Sequence, residues 1–338
     1  MRRIGMLCIS VLMVLTTVVN TTLAETKTYT MALTTNFGEL APVVVAQRKG
    51  FFQEEGIAID YTVYASVNDW YNAVLYERKD IALPWAEFYI DLVLSNTSYK
   101  VIGVFENQTD VVMVVKKGID PKSIHVIGTL NEASVWKWFA WKYFTKFGMS
   151  LDDKKFVVLD APDLFKNFQS NRIQAFVFVR GAVEQILQAA EGEVGFAVPE
   201  GFVPTSLLFA IKPATLSVMS ASELKGFWRA IIRANQWVNN PANRTELRQL
   251  LLKEVPELAE MIGIADETVY TQKFDYYTFY APEALRQSNA ALQASMKSLL
   301  DFRSAILHQD VSAIDLEQRL DTSVLLKVLE ELKLTGQP

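Results

Sequence analysis

The chain has 338 residues, of which half are hydrophobic and 21% are charged, and its formal net charge is -5. This length predicts two cores rather than one, and the composition excludes an intrinsically disordered chain. The net negative charge argues against a nucleic-acid-binding protein, because a partner of the phosphate backbone needs a basic face. One cysteine and two histidines exclude an intrachain disulfide and a multi-histidine metal site, so we expect no metal and no cofactor.

Residues 1–24 predict an export signal. Two arginines are followed by an apolar run over 4–19 and then by a Thr-Leu-Ala tripeptide ending at Ala24, with small residues where cleavage requires them. A membrane anchor is one alternative, but the run is shorter than the ~20 apolar residues of a span. A lipoprotein signal at Cys8 is another, although too few residues precede the cysteine for a hydrophobic region. We therefore expect cleavage after Ala24 and a mature protein outside the cytoplasm.

The mature chain predicts strands and helices that alternate, followed by a helical region. Strands separated by helices form right-handed crossovers and a largely parallel sheet. Extended segments are predicted at 28–33, 57–64, 80–83, 99–105, 112–117, 123–127, 156–159, 174–179, 194–198 and 206–211, and helices at 40–48, 51–56, 66–76, 85–94, 131–147, 162–170 and 181–190. The later helices are predicted at 221–239, 241–253, 257–264, 282–306 and 321–333.

The segment Pro42–Ile57, PVVVAQRKGFFQEEGI, carries a family resemblance. It is similar to the solute-binding proteins of ABC importers for nitrate, sulfonates, taurine and thiamine-pyrimidine precursors, in which a helix ending A-x-x-K-G-F-F-x-x-E-G precedes the second strand. Three further segments, Asp80–Ala82, Val112–Lys117 and Ser123–Gly128, agree with the order of elements in that family. The resemblance extends from the start of the mature chain to about residue 250.

The resemblance implies an α/β, two-lobed periplasmic-binding-protein fold of type II. Two mainly parallel sheets flanked by helices would be joined by two hinge crossovers, with a helical C-terminal region. Residues 25–108 and 205–338 would form lobe 1, and residues 109–204 would form lobe 2. The ligand would lie between the lobes, because ligands of open α/β sheets bind outside the carboxyl ends of the strands.

Ligand-binding residues are expected where strands end and where the chain crosses between lobes. The helix N-termini and Arg180 would suit an anion, whereas Trp85 and Glu87 with nearby amides would suit a planar heterocycle such as a pyrimidine. Structural alternatives exist: Thr129 can cap a helix, and Trp85 can pack between helices. Glu87 can be solvated, and Arg180 can pair with Glu184. The candidates are Thr34, Asn36, Phe37, Trp85, Glu87, Asn107, Thr129, Ser134, Asp160 and Arg180.

The implied function is extracytoplasmic solute binding. The protein would capture a small polar organic molecule or a sulfonate-like or carboxylate-like anion between its lobes and deliver it to the permease subunits of an ABC importer in the inner membrane. Alternatives are a pyrimidine-type thiamine precursor as the ligand, or a sensor or adaptor role at a membrane receptor. We expect a monomer and no enzyme, because dinucleotide, P-loop, nucleophile-elbow and HExxH motifs are absent. His125, Met219 and Met261 are expected in the core.

Overall fold

The computed structural model describes the chain over 27–76, 78–106, 111–130, 134–179, 183, 187, 189–198, 207–276 and 282–334. The predicted export signal, 1–24, lies outside the described residues, as do Asn107 and Arg180. No helix in the described part of the chain is both long and apolar enough to span a membrane.

The described residues form two five-stranded sheets. The strands are Thr28–Thr34 (β1), Ala58–Tyr64 (β2), Ile81–Ala82 (β3), Lys100–Glu106 (β4), Val111–Lys116 (β5), Val126–Thr129 (β6), Lys155–Val158 (β7), Ala175–Val179 (β8), Gly192–Ala197 (β9) and Leu207–Ile211 (β10). The first sheet has the order β2-β1-β3-β10-β4, and the second has the order β7-β6-β8-β5-β9.

The two sheets match strand for strand. In each, the fourth strand runs antiparallel to both neighbours and the other pairings are parallel, so β10 in the first sheet corresponds to β5 in the second. Each of these antiparallel strands is the first one that the chain enters after leaving the other sheet. The fold class implied by the family resemblance is thereby confirmed as two mixed, mainly parallel sheets with flanking helices and a helical C-terminal region.

Helices cover the sheets and make up most of the chain beyond residue 212. They are Phe37–Arg48 (α1), Phe51–Glu54 (α2), Val67–Leu75 (α3), Ala86–Leu94 (α4), Ser134–Thr145 (α5), Ala161–Gln169 (α6), Pro213–Val218 (α7), Ala221–Asn239 (α8), Arg244–Glu254 (α9), Ala259–Ile262 (α10), Glu267–Tyr276 (α11), Pro282–Ala305 (α12), Leu316–Arg319 (α13) and Ser323–Leu334 (α14). Short 3₁₀ turns lie at Pro121–Ser123, Pro241–Asn243 and Pro256–Leu258.

The core of the first sheet is closed by the later helices. All five residues of β10 are buried, as expected for a strand covered on both faces. Ser220 and Glu223 form a capping box that satisfies free N–H groups at the start of α8. Helices α8 and α14 approach β4 so closely that a Cβ added at Gly103 would meet Trp228 and Leu325 at 2.7 Å each. The C-terminal region is therefore integral to the first sheet's packing.

The segment that carries the family resemblance packs against α8. Gly50 has φ of +75°, which glycine adopts without strain and which separates α1 from α2. Phe52 is buried and stacks on Phe227 with the ring centroids 5.8 Å apart. The guanidinium of Arg233 lies 4.2 Å from the ring centroid of Phe51. In this arrangement the recognisable motif serves the packing of the first sheet's helices.

Helix α12 contacts a strand of the first sheet and a helix that packs on the second sheet. Near its start, Asn289 Oδ1 accepts a hydrogen bond of 2.9 Å from the Val104 N–H of β4. Further along, Ser298 Oγ accepts a hydrogen bond of 3.3 Å from Trp138 Nε1 of α5, a helix that packs on the second sheet. The same C-terminal helix therefore joins the packing of the two sheets.

Three local expectations differ from the structure. The strand predicted over 123–127 starts at Val126, because Asp120 caps a 3₁₀ turn at Pro121–Ser123. The His125 side chain, expected in the core, is 63% exposed beside Asp153 because it precedes the strand. Met261 is 60% exposed and not in the core, since α10 is a single short helical segment with one face outward, whereas Met219 is buried as expected.

Candidate functional site

A cavity opens at the carboxyl edge of the first sheet, where β2, β1 and β3 lie side by side. Its interior is small, with about 30 Å³ of space for water, and it continues into open solvent at its mouth. Its lining residues come from the ends of these strands and from the helices that follow them. They are Thr34, Glu39, Val67, Trp70, Leu83, Trp85 and Phe88. Because this edge is where open α/β sheets bind ligands, the cavity is the candidate ligand site.

Glu39 is the charged residue among the described lining residues. It lies in the first turn of α1 and is only 1% exposed. Its Oε2 accepts a hydrogen bond of 2.7 Å from the backbone N–H of Thr34. Burial raises the pKa of Glu39 to about 8, because a carboxylate loses its hydration away from water, and the hydrogen bonds from Thr34 offset only part of this effect. The carboxyl group therefore titrates close to neutral pH.

Aromatic side chains form the walls of the cavity. Trp70 is 1% exposed, and its Nε1 donates a hydrogen bond of 3.3 Å to the Ala32 carbonyl of β1, which fixes the indole against the sheet. Trp85 immediately precedes α4 and forms an antiparallel bridge with Leu207. Its ring stacks on Phe88, with the centroids 5.3 Å apart and an interplanar angle of 23°. Both residues of this stacked pair are half-buried and offer surface to a solute.

Two of the predicted site residues, Thr34 and Trp85, line the cavity together. Asn36 lies next to them and caps α1, since its Oδ1 accepts a hydrogen bond of 2.8 Å from the backbone N–H two residues on. Phe37 points elsewhere: it is 1% exposed and packs edge-on against Phe274 of α11 with a centroid distance of 5.6 Å. Of these four predicted residues, only Thr34 and Trp85 are among the residues that line the cavity.

Glu87 lies in a buried ion-pair cluster. Glu87 and Arg303 of α12 are each 3% exposed, and Arg303 Nη2 lies 3.8 Å from Glu87 Oε1. The same nitrogen donates a hydrogen bond of 3.3 Å to the Glu87 carbonyl, while Nη1 donates to Asp91 and to Gln309. This pairing anchors α4, the helix that begins just after Trp85, to the C-terminal region. Glu87 is not among the residues that line the cavity.

The predicted residues of the second sheet lie outside the lining of this cavity. Thr129 ends β6, in the position that corresponds to Thr34 in β1, and is 2% exposed. Asp160 is exposed and caps α6, accepting a hydrogen bond of 2.9 Å from the backbone N–H three residues on. Ser134 begins α5, where only its backbone is described. The remaining two candidates, Asn107 and Arg180, fall outside the described residues.

Sequence reasoning missed Glu39, Trp70 and Phe88. Glu39 was hidden because helix α1 was predicted to start at residue 40, which left the acid in the preceding turn. A signal was present, since Glu39 is the lone charged residue between Phe37 and Ala46 in a run of apolar and small residues. Such an acid on a helix that is buried all round must itself be buried.

The lining can hold a small solute by aromatic contact and by one carboxyl group. Among the described lining residues there is no nucleophile beside a base, and the described part of the chain contains no group of three His, Cys, Asp or Glu residues that could hold a metal. The arrangement is suited to binding through apolar walls with a single polar anchor, the usual composition of a ligand pocket.

Two five-stranded sheets of matching order, with an antiparallel fourth strand in each, define a periplasmic-binding-protein fold, and solved structures of that class align with most of the chain. The aliphatic sulphonate binding protein SsuA of Escherichia coli aligns with 86% of this chain and 91% of its own at 14% identity, with a TM-score of 0.61. The sulfonate-binding protein SsuA of Methylobacillus flagellatus gives coverages of 92% and 96%, 15% identity and a TM-score of 0.58. The nitrate-binding protein NrtA of Synechocystis gives 92% and 90%, 12% identity and 0.54.

The family described as NMT1/THI5 like matches residues 38–243, and the chain belongs to this family. The matched stretch contains the segment Pro42–Ile57, so the resemblance inferred from that segment is confirmed. These solved structures are described as periplasmic binding proteins. A search of curated proteins found no match.

Proposed function

We propose that this protein is an extracytoplasmic solute-binding protein that captures a small polar organic solute between two lobes and delivers it to an ABC importer. The observation that carries the proposal is the aromatic-walled cavity at the carboxyl edge of one of two matched sheets. In this proposal residues 25–108 and 205–338 form lobe 1, residues 109–204 form lobe 2, and the solute binds first at the lobe 1 cavity.

The proposed location and partners follow from the same class of protein. Residues 1–24 would be removed on export, leaving the mature chain in the periplasm, where it would meet the permease subunits of its importer. Support comes from the solved relatives, two of which are described as periplasmic sulfonate-binding proteins and one as a periplasmic nitrate-binding protein. Closure of the lobes over the solute would supply the change of shape that a permease recognises.

The described geometry supports a planar solute more than an anion, the two ligand classes expected from the sequence. A planar solute is supported by the stacked pair Trp85 and Phe88 beside the cavity. The anion expectation depended on Arg180, which lies outside the described residues, and on N–H groups at the start of α1, where Glu39 itself adds a buried acid beside the cavity. A solute with a flat or apolar body is therefore the form that we propose.

Solute capture at this cavity is testable by blocking its mouth. Val67 lines the cavity and is 52% exposed, so Val67→Trp would fill the mouth without disturbing the core. Thermal unfolding of the mature protein would be screened against amines, amidines, pyrimidines, carboxylates, sulfonates and nitrate. A solute at a hundred times its Kd should add about 2.7 kcal/mol to the free energy of unfolding, and Val67→Trp should abolish this gain.

Val269→Trp is the matched control, because Val269 is 45% exposed on α11 and does not line the cavity. It should bind the solute as the unaltered protein does. Equal binding by the Val67→Trp variant would refute the proposed site, and a screen in which no solute stabilises the protein would refute the proposed function.

Delivery to an importer is tested separately. The solute-loaded protein should stimulate the ATPase activity of that importer in proteoliposomes more than the empty protein does.

A further inference from the structure

We infer that the solute is an organic cation, an ammonium or amidinium group on a flat or apolar body, and that the carboxylate of Glu39 receives its charge. This inference rests on the proposed function, since it names the solute class of the same cavity. It reverses the sign of the charge that the sequence alone favoured, and it gives Glu39 a role in binding.

The first argument is the charge of the cavity. Glu39 is almost wholly buried, and in the described part of the chain no lysine or arginine forms an ion pair with it. The cavity lining among the described residues contains no basic side chain. A buried acid without a basic partner is costly to ionise and is stabilised by any cation that arrives beside it. A cationic solute would supply the partner that the described residues do not.

The second argument is the chemistry of the walls. Trp85 and Phe88 form a stacked pair at the cavity, and Trp70 is held rigidly behind it by the hydrogen bond to Ala32. Aromatic faces carry negative charge density and attract ammonium and guanidinium-like groups, most strongly where water is excluded. The walls and Glu39 thus favour the same charge on the solute, whereas an anion would meet the Glu39 carboxyl group and the aromatic faces.

The third argument is the protonation of the empty site. Burial raises the pKa of Glu39 to about 8, with no charged neighbour among the causes. The titratable groups on the elements packed nearby are otherwise engaged: Tyr270 and Lys273 of α11 contact the ring of Phe37, and Glu87 of α4 pairs with Arg303. At neutral pH the empty site is mostly protonated, and a bound cation would drive the proton from Glu39 into solvent.

This linkage distinguishes a cation from an anion by the direction of its pH dependence. A cation binds the ionised form of Glu39, so its affinity rises with pH up to the pKa of the group and then levels off. An anion could bind only to the protonated form, which can donate a hydrogen bond, so its affinity would fall as the pH rises. For a pKa near 8, the ionised fraction grows about 50-fold between pH 6 and pH 8.

The experiment uses three solutes with the same ring, benzamidinium, benzamide and benzenesulfonate, titrated calorimetrically into the mature protein at several pH values from 6 to 9. Benzamidinium keeps its charge over this range, and benzamide is its neutral isostere. We expect benzamidinium to bind at least tenfold more tightly than benzamide at pH 8, with an affinity that rises about 50-fold from pH 6 to pH 8. Glu39→Gln should remove both the preference and the pH dependence.

Glu330→Gln is the matched control, because Glu330 is exposed on α14 and its replacement removes the same charge away from the cavity. It should leave the binding of benzamidinium unchanged. Benzenesulfonate binding that weakens as the pH rises would overturn the cation inference while leaving solute capture intact. The inference is also overturned if benzamidinium does not bind, or if Glu39→Gln binds it as the unaltered protein does. Failure of the whole solute screen, by contrast, would remove the proposed function itself.

Discussion

The carboxyl edges of the two sheets differ although their strand orders match. At the first edge, Thr34 is followed by the buried Glu39 and by a cavity with aromatic walls. At the second, the corresponding Thr129 is buried, and Asp160 is an exposed helix cap at the end of the neighbouring strand. Equivalent positions in the topology therefore carry different chemistry, with a desolvated acid in one case and a solvated acid in the other.

This difference shows that strand order sets where the carboxyl edge of a sheet lies, whereas the surrounding helices set the charge and burial of the side chains at that edge. Trp85 reaches the first edge from the start of α4, and α4 is anchored by the pairing of Glu87 with Arg303 of α12. Helix α12 also contacts α5 on the second sheet through Ser298 and Trp138. The first edge is consequently shaped by the C-terminal region, whereas the described second edge is shaped by its own helix caps.

The largest expected effect comes from breaking the anchor of the first edge. Arg303→Met would leave Glu87 buried without its cationic partner and should lower the free energy of unfolding by about 3–5 kcal/mol. Urea denaturation of the mature protein measures this loss. The double variant Glu87→Gln with Arg303→Met should recover part of it, because Glu87 is then neutral and only the half-buried Asp91 still loses its partner. A loss below about 1 kcal/mol for the single variant would contradict the anchoring role.

The next largest effect is a pH-dependent gain in the free energy of unfolding on replacing Glu39 with glutamine. The folded-state pKa of Glu39 is raised to about 8, so unfolding favours its ionisation, and the wild-type chain loses stability as the pH rises from about 4.5 to about 8. Glu39→Gln removes this loss. It should match the wild-type protein near pH 4 and exceed it by about 3 kcal/mol at pH 7, as measured by denaturation at each pH. The same gain at both pH values would refute the burial of an ionisable group.

A smaller effect is expected at the aromatic wall. Trp85→Leu keeps an apolar side chain but removes the indole face, and it should weaken the binding of benzamidinium about tenfold. Calorimetric titration measures the change. Phe147→Leu is the control, because Phe147 is an exposed aromatic residue in the second-sheet part of the chain, away from the cavity lining. Equal weakening by both variants would mean that Trp85 does not act as a wall.

The smallest effects test whether the helix-capping residues at the second edge also take part in ligand binding. Asn36→Ala and Asp160→Ala each remove a helix-capping oxygen and should each lower the free energy of unfolding by about 1 kcal/mol. Neither change should alter the affinity for benzamidinium. A fall in affinity for Asp160→Ala alone would break the comparison, because it would bring the second edge into the ligand site.

Much of the fold could be predicted from particular local patterns. The apolar run of β10 and the alternation of β2 predicted strands close to their observed positions, and α8 was predicted over its observed range. Helix α11 was missed because its residues, ETVYTQKFDY, show weak amphipathic periodicity and become helical through contacts such as Tyr270 with Phe37. Helix α11 has neither an apolar run nor clear periodicity, so tertiary contacts decide its structure.

The candidate site was predicted less completely than the fold. Thr34 and Trp85 were nominated because they lie where buried strands end, and the ends of parallel strands meet at one edge; both line the cavity. Phe37 was nominated by the same reasoning but packs in the core, since the first turn of α1 directs it toward α11. Position along a strand–helix junction places a backbone near a site without fixing the direction of each side chain.

The sequence by itself determined the alternation of elements and the family, because strand and helix periodicity and a local motif are properties of neighbouring residues. Tertiary structure decided that Glu39 is buried with no ion-pair partner among the described residues, that Trp70 and Phe88 join Trp85 around one cavity, and that Glu87 pairs with a residue 216 positions away. Burial and pairing depend on segments that are distant in sequence, so the sign of the charge in the cavity emerges only when the chain is folded.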